Sequence, residues 1–288
     1  MRRVPETSWQ LNEARTLLKG RHSATSFAEP PRFLQAATCF GGDMDHTFAK
    51  RHRYDSRLWA GIWLYALVVV VIGFSQPVTG RFFDEVREPA TWPLVIHVWS
   101  FSAWLGLLAI QAWCAATNRM NWHRNFGLVL LPLAAVMVWS GMTAEFNGFL
   151  RDFPTGGTTK FLATSSTFAA AFMVFAVLAW IKRRDPPAHK RLILLATAAI
   201  LGGAHARIIA LFRPDAWGVS DFILALPFWF GGTWIIVGTG MVYDLLSRGS
   251  LHPVYKYAAP PLLFANSLGA YLYTSPDFNA WLGPILTG

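Results

Sequence analysis

Residues 58–74 read LWAGIWLYALVVVVIGF. No charge interrupts them, and the run reaches the lower end of the length needed to cross a bilayer as a helix. A barrel strand needs only about ten residues and alternates strictly between apolar and polar positions, which this run does not do. The stretch therefore predicts a membrane-spanning helix from Leu58 to Phe74. Comparable apolar segments follow at Pro93–Ala116, Phe126–Phe146, Phe161–Ile181, Leu192–Phe212 and Val219–Leu246. A seventh, Ala258–Tyr273, is shorter and holds Pro260-Pro261 near its start. It reads as a weak span, a re-entrant piece or an interfacial one. The expected fold is an all-α, polytopic helical membrane bundle over 58–275, with six full spans plus a shorter seventh, and a short outer C-terminal tail at 276–288.

Composition points the same way. Of 288 residues, 53 % are hydrophobic and 14 % charged, where a soluble domain carries roughly 25 % charge. An ordinary soluble enzyme, a disulfide scaffold, a disordered chain and a soluble nucleic-acid binder are excluded. Membrane lipids are the expected partners, and nucleic acid is not one. Cys39 and Cys114 form no CxxC motif and make no plausible pair, so neither a disulfide nor a thiolate metal site is expected.

Orientation follows from the basic residues. With seven spans, 19 of the 25 Lys and Arg fall on one side, ten of them in the N-terminal tail, and 6 on the other. Asp and Glu divide eight and eight. The bias belongs to Lys and Arg alone, as the positive-inside rule expects, so the N-terminus is expected in the cytoplasm of a bacterial inner-membrane protein. Trp59, Trp92, Trp122, Trp180, Trp217 and Trp281 lie close to span ends, where amphipathic rings favour the headgroup zone.

Residues 1–57 are polar and mixed in charge, with Glu29-Pro30-Pro31 breaking any helix. They read as a mostly disordered cytoplasmic tail. No secretory signal is apparent, so the first span is expected to direct insertion. Met44 stands shortly before the basic cluster Lys50-Arg51-His52-Arg53, which suggests a true start there and leaves residues 1–43 untranslated. N-terminal sequencing that finds Arg2 or Arg3 in the native protein sinks that idea.

Ionisable side chains within spans are costly and therefore functional candidates. On the outer side these are His97, Glu145, His205, Arg207 and Asp221. Arg207 and Asp221 flank one short connection and read as a structural ion pair. Glu145 reads as solvated in the headgroup zone. His97 lies about 6 Å and His205 about 10 Å inside their helix ends at 1.5 Å per residue, so the two can share a level. Facing imidazoles can hold a b-type haem, and His123 and His189 share the inner level in the same way. However, His189 and His205 are 16 residues apart and point about 160° away from each other on a straight helix. That disfavours two haems stacked along one span. The plainer alternative has each His hydrogen-bonded to a neighbouring Ser, Trp or carbonyl.

The inner face carries a recurring pattern. Trp122-His123-Arg124 precedes the third span and Ala188-His189-Lys190-Arg191 the fifth, a weak parallel repeat. With Tyr243-Asp244, Arg248-Gly249 and His252-Pro253, these residues could line a pocket for an anionic headgroup, a phosphate or a quinone. Helix starts, positive-inside charge and phospholipid contacts explain them equally. No GxxxxGK[ST], HExxH or GxSxG occurs, so no catalytic or metal-binding residue is assigned.

The residues from His97 through Ser102-Ala103-Trp104, Gln111, Arg119, His123-Arg124 and Gly127 resemble a group of bacterial multi-pass inner-membrane proteins of uncharacterised function. The resemblance continues through His189-Lys190-Arg191-Leu192, Leu194-Leu195-Ala196-Thr197, Arg207, Tyr243-Asp244, Arg248-Gly249 and His252-Pro253, and covers roughly residues 58–257. It implies a six- or seven-helix inner-membrane protein and no particular activity. His205 stands where that group usually has a small residue, which moves weight to His97, His123, His189, Asp244 and His252.

The expected role is redox-associated, with b-type haem or quinone bound by His97, His123, His189 and His205, and a membrane redox partner. The alternative is a non-enzymatic carrier or lipid-interacting protein that binds an anionic group at Arg124, Lys190, Arg191, Asp244 and His252.

Overall fold

The computed structural model describes residue 48 and residues 52–83, 90–152 and 159–287. The chain divides into two units, 1–43 and 44–288, and every described residue belongs to the second. The expectations for residues 1–47, including a start at Met44, lie outside the described residues.

All regular structure among the described residues is helical. Helix α1 (Asp55–Phe82) runs on past Pro77 and places Asp55 in its first turn, where the helix dipole favours a carboxylate. Helix α2 (Trp92–Ala116) carries Pro93 in its first turn, where a missing N–H costs nothing. A short α3 (Met120–Gly127) leads into α4 (Leu130–Asp152), and α5 (Lys160–Ile181) follows. Next come α6 (Pro186–Ile200) and α7 (Gly202–Phe212), bent by 42° against each other. A 3-10 turn (Pro214–Gly218) precedes α8 (Phe222–Arg248), α9 (Pro253–Thr274) and α10 (Pro276–Thr287).

Five stretches are long and apolar enough to cross a membrane: α1, α2, α3 with α4, α5, and α8. The bent pair α6–α7 makes a sixth when taken as one span. The chain is thus an all-α, multi-pass membrane bundle. One end gathers the start of α1, the α2–α3 turn, the α5–α6 turn and the α8–α9 turn, and is called the basic end below. Exposed Leu64, Val68, Val71 and Ile72 on α1 recur at helical spacing, which gives that helix an apolar outer face.

Two expectations change. The seventh segment is a continuous helix of 22 residues, as long as α5, with Pro260 and Pro261 inside it. It packs on α5 and α8, although it is less apolar than the spanning helices. The fifth apolar segment is not one rod. At Leu201, just before Gly202-Gly203, the backbone N–H bonds the carbonyl of Ala198 three residues back at 3.3 Å, and glycine pairs are common kink sites.

Helix α6 is the centre of the bundle. Every residue from Leu194 to Ala199 is buried, as are Pro187, Ala188, Arg191 and Leu192. Its alanines let α5, α8 and α9 approach closely, the usual role of small residues in membrane helix packing.

Candidate functional site

At the basic end a charge network ties four helices together. Arg191 on α6 and Asp244 on α8 are 2 % and 1 % exposed. Arg191 Nε donates to Asp244 Oδ2 at 2.7 Å, Nη2 donates to Oδ1 of the same carboxylate, and Nη1 donates to the Pro187 carbonyl at 2.8 Å. One turn beyond Asp244, Arg248 turns to buried Asp55 at the start of α1, with contacts of 3.0 and 3.2 Å. Lys190 Nζ donates to the same carboxylate at 3.0 Å, and the Tyr243 hydroxyl at 2.6 Å. The His52 N–H adds a bond at 3.2 Å. His252 caps α9 by accepting from the Val254 N–H at 3.1 Å, and its own N–H approaches Asp244 at 3.4 Å. The Phe48 ring sits 4.9 Å from the Arg191 guanidinium and meets the His252 ring edge-on.

Lys190, Arg191, Asp244 and His252 were expected together and do converge, but on one another. Three cations meet two carboxylates, so the network largely neutralises itself. Arg124 is exposed on α3 and is no member of it. Asp55 was missed: it lies in a mixed-charge stretch, and its place just ahead of the first apolar run was the only signal.

The four histidines separate into different settings. His205 Nδ1 donates to the Leu201 carbonyl at 2.8 Å, and Nε2 accepts from the Tyr65 hydroxyl at 2.6 Å. Both ring nitrogens are thereby engaged, which leaves neither for an iron. The ring also rests on Gly232 of α8, where any Cβ would fall onto it. His97 instead lies beside Gly141 of α4 and Phe101, so the expected His97–His205 pair is not assembled. His123 and His189 do meet, edge-to-face, with ring centroids 6.3 Å apart.

The opposite end holds a cavity of about 1050 Å³ between α1, α2, α4, α5 and α7. Its walls are mainly apolar, and His97, Glu145 and Arg207 all line it. Glu145, read from sequence as solvated among headgroups, lines this cavity with Ser165 as a hydrogen-bonding neighbour. His97 is enclosed at the wall, with the Met137 backbone as a hydrogen-bonding neighbour, and its Nδ1, against Gly141, is sealed from water. Arg207 Nη1 donates to the Gly203 carbonyl at 2.9 Å, and its guanidinium lies 4.6 Å over the Phe74 ring. The expected Arg207–Asp221 ion pair does not form. Asp221 caps α8 by accepting from the Leu224 N–H at 3.0 Å, a task its place before the helix dictates.

Among the described residues no group of three or more His, Cys, Asp or Glu side chains converges as a metal site. No family model, curated protein or solved structure matches the chain, so the functional reading rests on the geometry above.

Proposed function

We propose that the protein is a redox-associated protein of the bacterial inner membrane, N-terminus cytoplasmic, that binds a quinone in the cavity opposite its basic end. One observation carries this reading: the cavity of about 1050 Å³ collects His97, Glu145 and Arg207 on otherwise apolar walls. An apolar pocket with a few convergent polar groups is the usual form of a small-molecule site. Ionisable residues at membrane depth commonly face such a cavity. An isoprenoid tail suits the apolar walls, and the ring oxygens suit the polar groups. The lysine and arginine distribution supports the orientation, and the resemblance supports the membrane.

Quinone is favoured over haem at this level because His205, the second axial candidate, has both nitrogens engaged. The carrier or lipid-binding reading is weaker, because the basic-end cations already pair with Asp55 and Asp244.

The test is mass spectrometry of what co-purifies with the detergent-solubilised protein, with an absorption spectrum before and after dithionite. About one quinone per chain is expected, falling at least tenfold in His97→Ala. Phospholipid alone would leave the quinone reading without support, and a Soret band with sharp alpha and beta bands would replace it with a cytochrome.

A further inference from the structure

His123 and His189 lie at the basic end, far along the sequence from each other, on α3 and α6. Each has one ring nitrogen committed to a backbone carbonyl. His123 Nδ1 meets the Gln111 carbonyl at 3.4 Å, and His189 Nδ1 meets the Ala179 carbonyl at 2.8 Å. A carbonyl oxygen only accepts, so in both neutral rings Nδ1 must carry the hydrogen and Nε2 must carry the lone pair. The rings are in contact, with centroids 6.3 Å apart. Two imidazoles, each with Nε2 as its remaining acceptor, are thus set side by side by four helices, since Ala179 belongs to α5 and Gln111 to α2.

A third electron-pair donor lies against His123. Gln111 Nε2 donates to the His123 backbone carbonyl at 3.1 Å, which fixes the amide and its orientation. The other amide atom, Oε1, is buried and receives no hydrogen bond. A buried acceptor without a donor, next to a pair of imidazoles whose Nε2 atoms carry lone pairs, is a setting a cation satisfies. Nδ1–H held by a backbone carbonyl is also the arrangement that orients metal-ligating histidines and raises their basicity.

The geometry points to a binding site for a late first-row transition-metal ion, with His123 Nε2 and His189 Nε2 as ligands and Gln111 Oε1 as a weaker third. The set is two imidazoles and a neutral amide, with no thiolate or carboxylate in it. Imidazole suits copper and zinc, and copper stands highest in the affinity order. Two strong donors match the low coordination that cuprous ion accepts, whereas zinc prefers four ligands. The site is independent of the quinone reading and lies at the other end of the bundle.

The experiment uses the full chain without a polyhistidine tag, in detergent, stripped of metal by chelator. Cu(I) is titrated anaerobically against a chromogenic competitor, and Zn(II) is titrated separately. One equivalent of Cu(I) is expected, bound more tightly than Zn(II). His123→Ala and His189→Ala each weaken it at least about 100-fold, and Gln111→Leu about tenfold, in line with the effect of secondary ligands. His97→Ala leaves it unchanged. His189→Gln, whose amide can still donate to the Ala179 carbonyl, serves as the folding control and loses the metal too. Two results overturn the site: no uptake by folded protein, or uptake that survives both histidine substitutions. Failure to take up metal with the two imidazoles titrating as one coupled pair would show that a shared proton, and not a metal, joins them.

Discussion

The guanidinium of Arg191 grips the carboxylate of Asp244 through two parallel hydrogen bonds, with both residues closed off from solvent. A fork-to-fork contact of this kind fixes the rotation of α6 against α8 as well as their distance. Removing one partner leaves a charge without an answer in a low-dielectric interior. Asp244→Ala is expected to destabilise the bundle by about 3–5 kcal/mol. The paired change Arg191→Met with Asp244→Leu should recover most of that loss, because an apolar pair removes the stranded charge. Thermal unfolding of the detergent-solubilised variants measures both.

Gly141 sets the space around His97. A Cβ there would lie 2.9 Å from both Nδ1 and Cε1 of the imidazole, closer than packed carbon tolerates. Gly141→Ala is expected to turn the ring away and to lower co-purified quinone at least as far as His97→Ala does. Quinone content per chain is the readout, and an unchanged content would separate His97 from ligand binding.

Gly232 and Gly61 make a controlled comparison. Alanine at Gly232 would collide with the His205 ring, whereas alanine at Gly61 meets nothing within 4 Å. Gly232→Ala should cost about 1–3 kcal/mol through overpacking. Gly61→Ala should stabilise by no more than about 1 kcal/mol, the helix propensity difference. The two unfolding midpoints should therefore move in opposite directions.

Tyr65→Phe deletes the hydroxyl that donates to His205 Nε2 and leaves that nitrogen without a partner. A loss of about 1–3 kcal/mol is expected, seen as a lower unfolding midpoint. His205→Phe combined with Tyr65→Phe should cost less than the sum of the two single changes, since no polar atom is then left unpaired.

Much of the scaffold was legible because a spanning helix announces itself by length and lack of charge. Trp92–Ala116 and Lys160–Ile181 differ from their expected bounds by a single residue. The bend at Leu201 was not legible, since Gly202-Gly203 also suits a straight, tightly packed helix. The site was legible by residue type but not by partner. Lys190, Arg191, Asp244 and His252 were expected to face a ligand and instead meet Asp55 and Arg248 or one another. Periodicity gives the face of one helix and says nothing of which helix lies opposite. Arg207 shows this directly, because the acid expected to pair with it, Asp221, caps a helix start, while Glu145 shares the cavity with it.

The central place of α6 bears on the order in which the protein is made. Arg191 leaves the ribosome 53 residues before Asp244, a gap of a few seconds at about 5–20 residues per second. During that interval Asp55, synthesised long before, is the network's one carboxylate available to the incoming Lys190-Arg191 pair. The helix that ends up most enclosed thus emerges before the carboxylate that pairs with its arginine. The bidentate contact between α6 and α8 therefore closes only once α8 has been made.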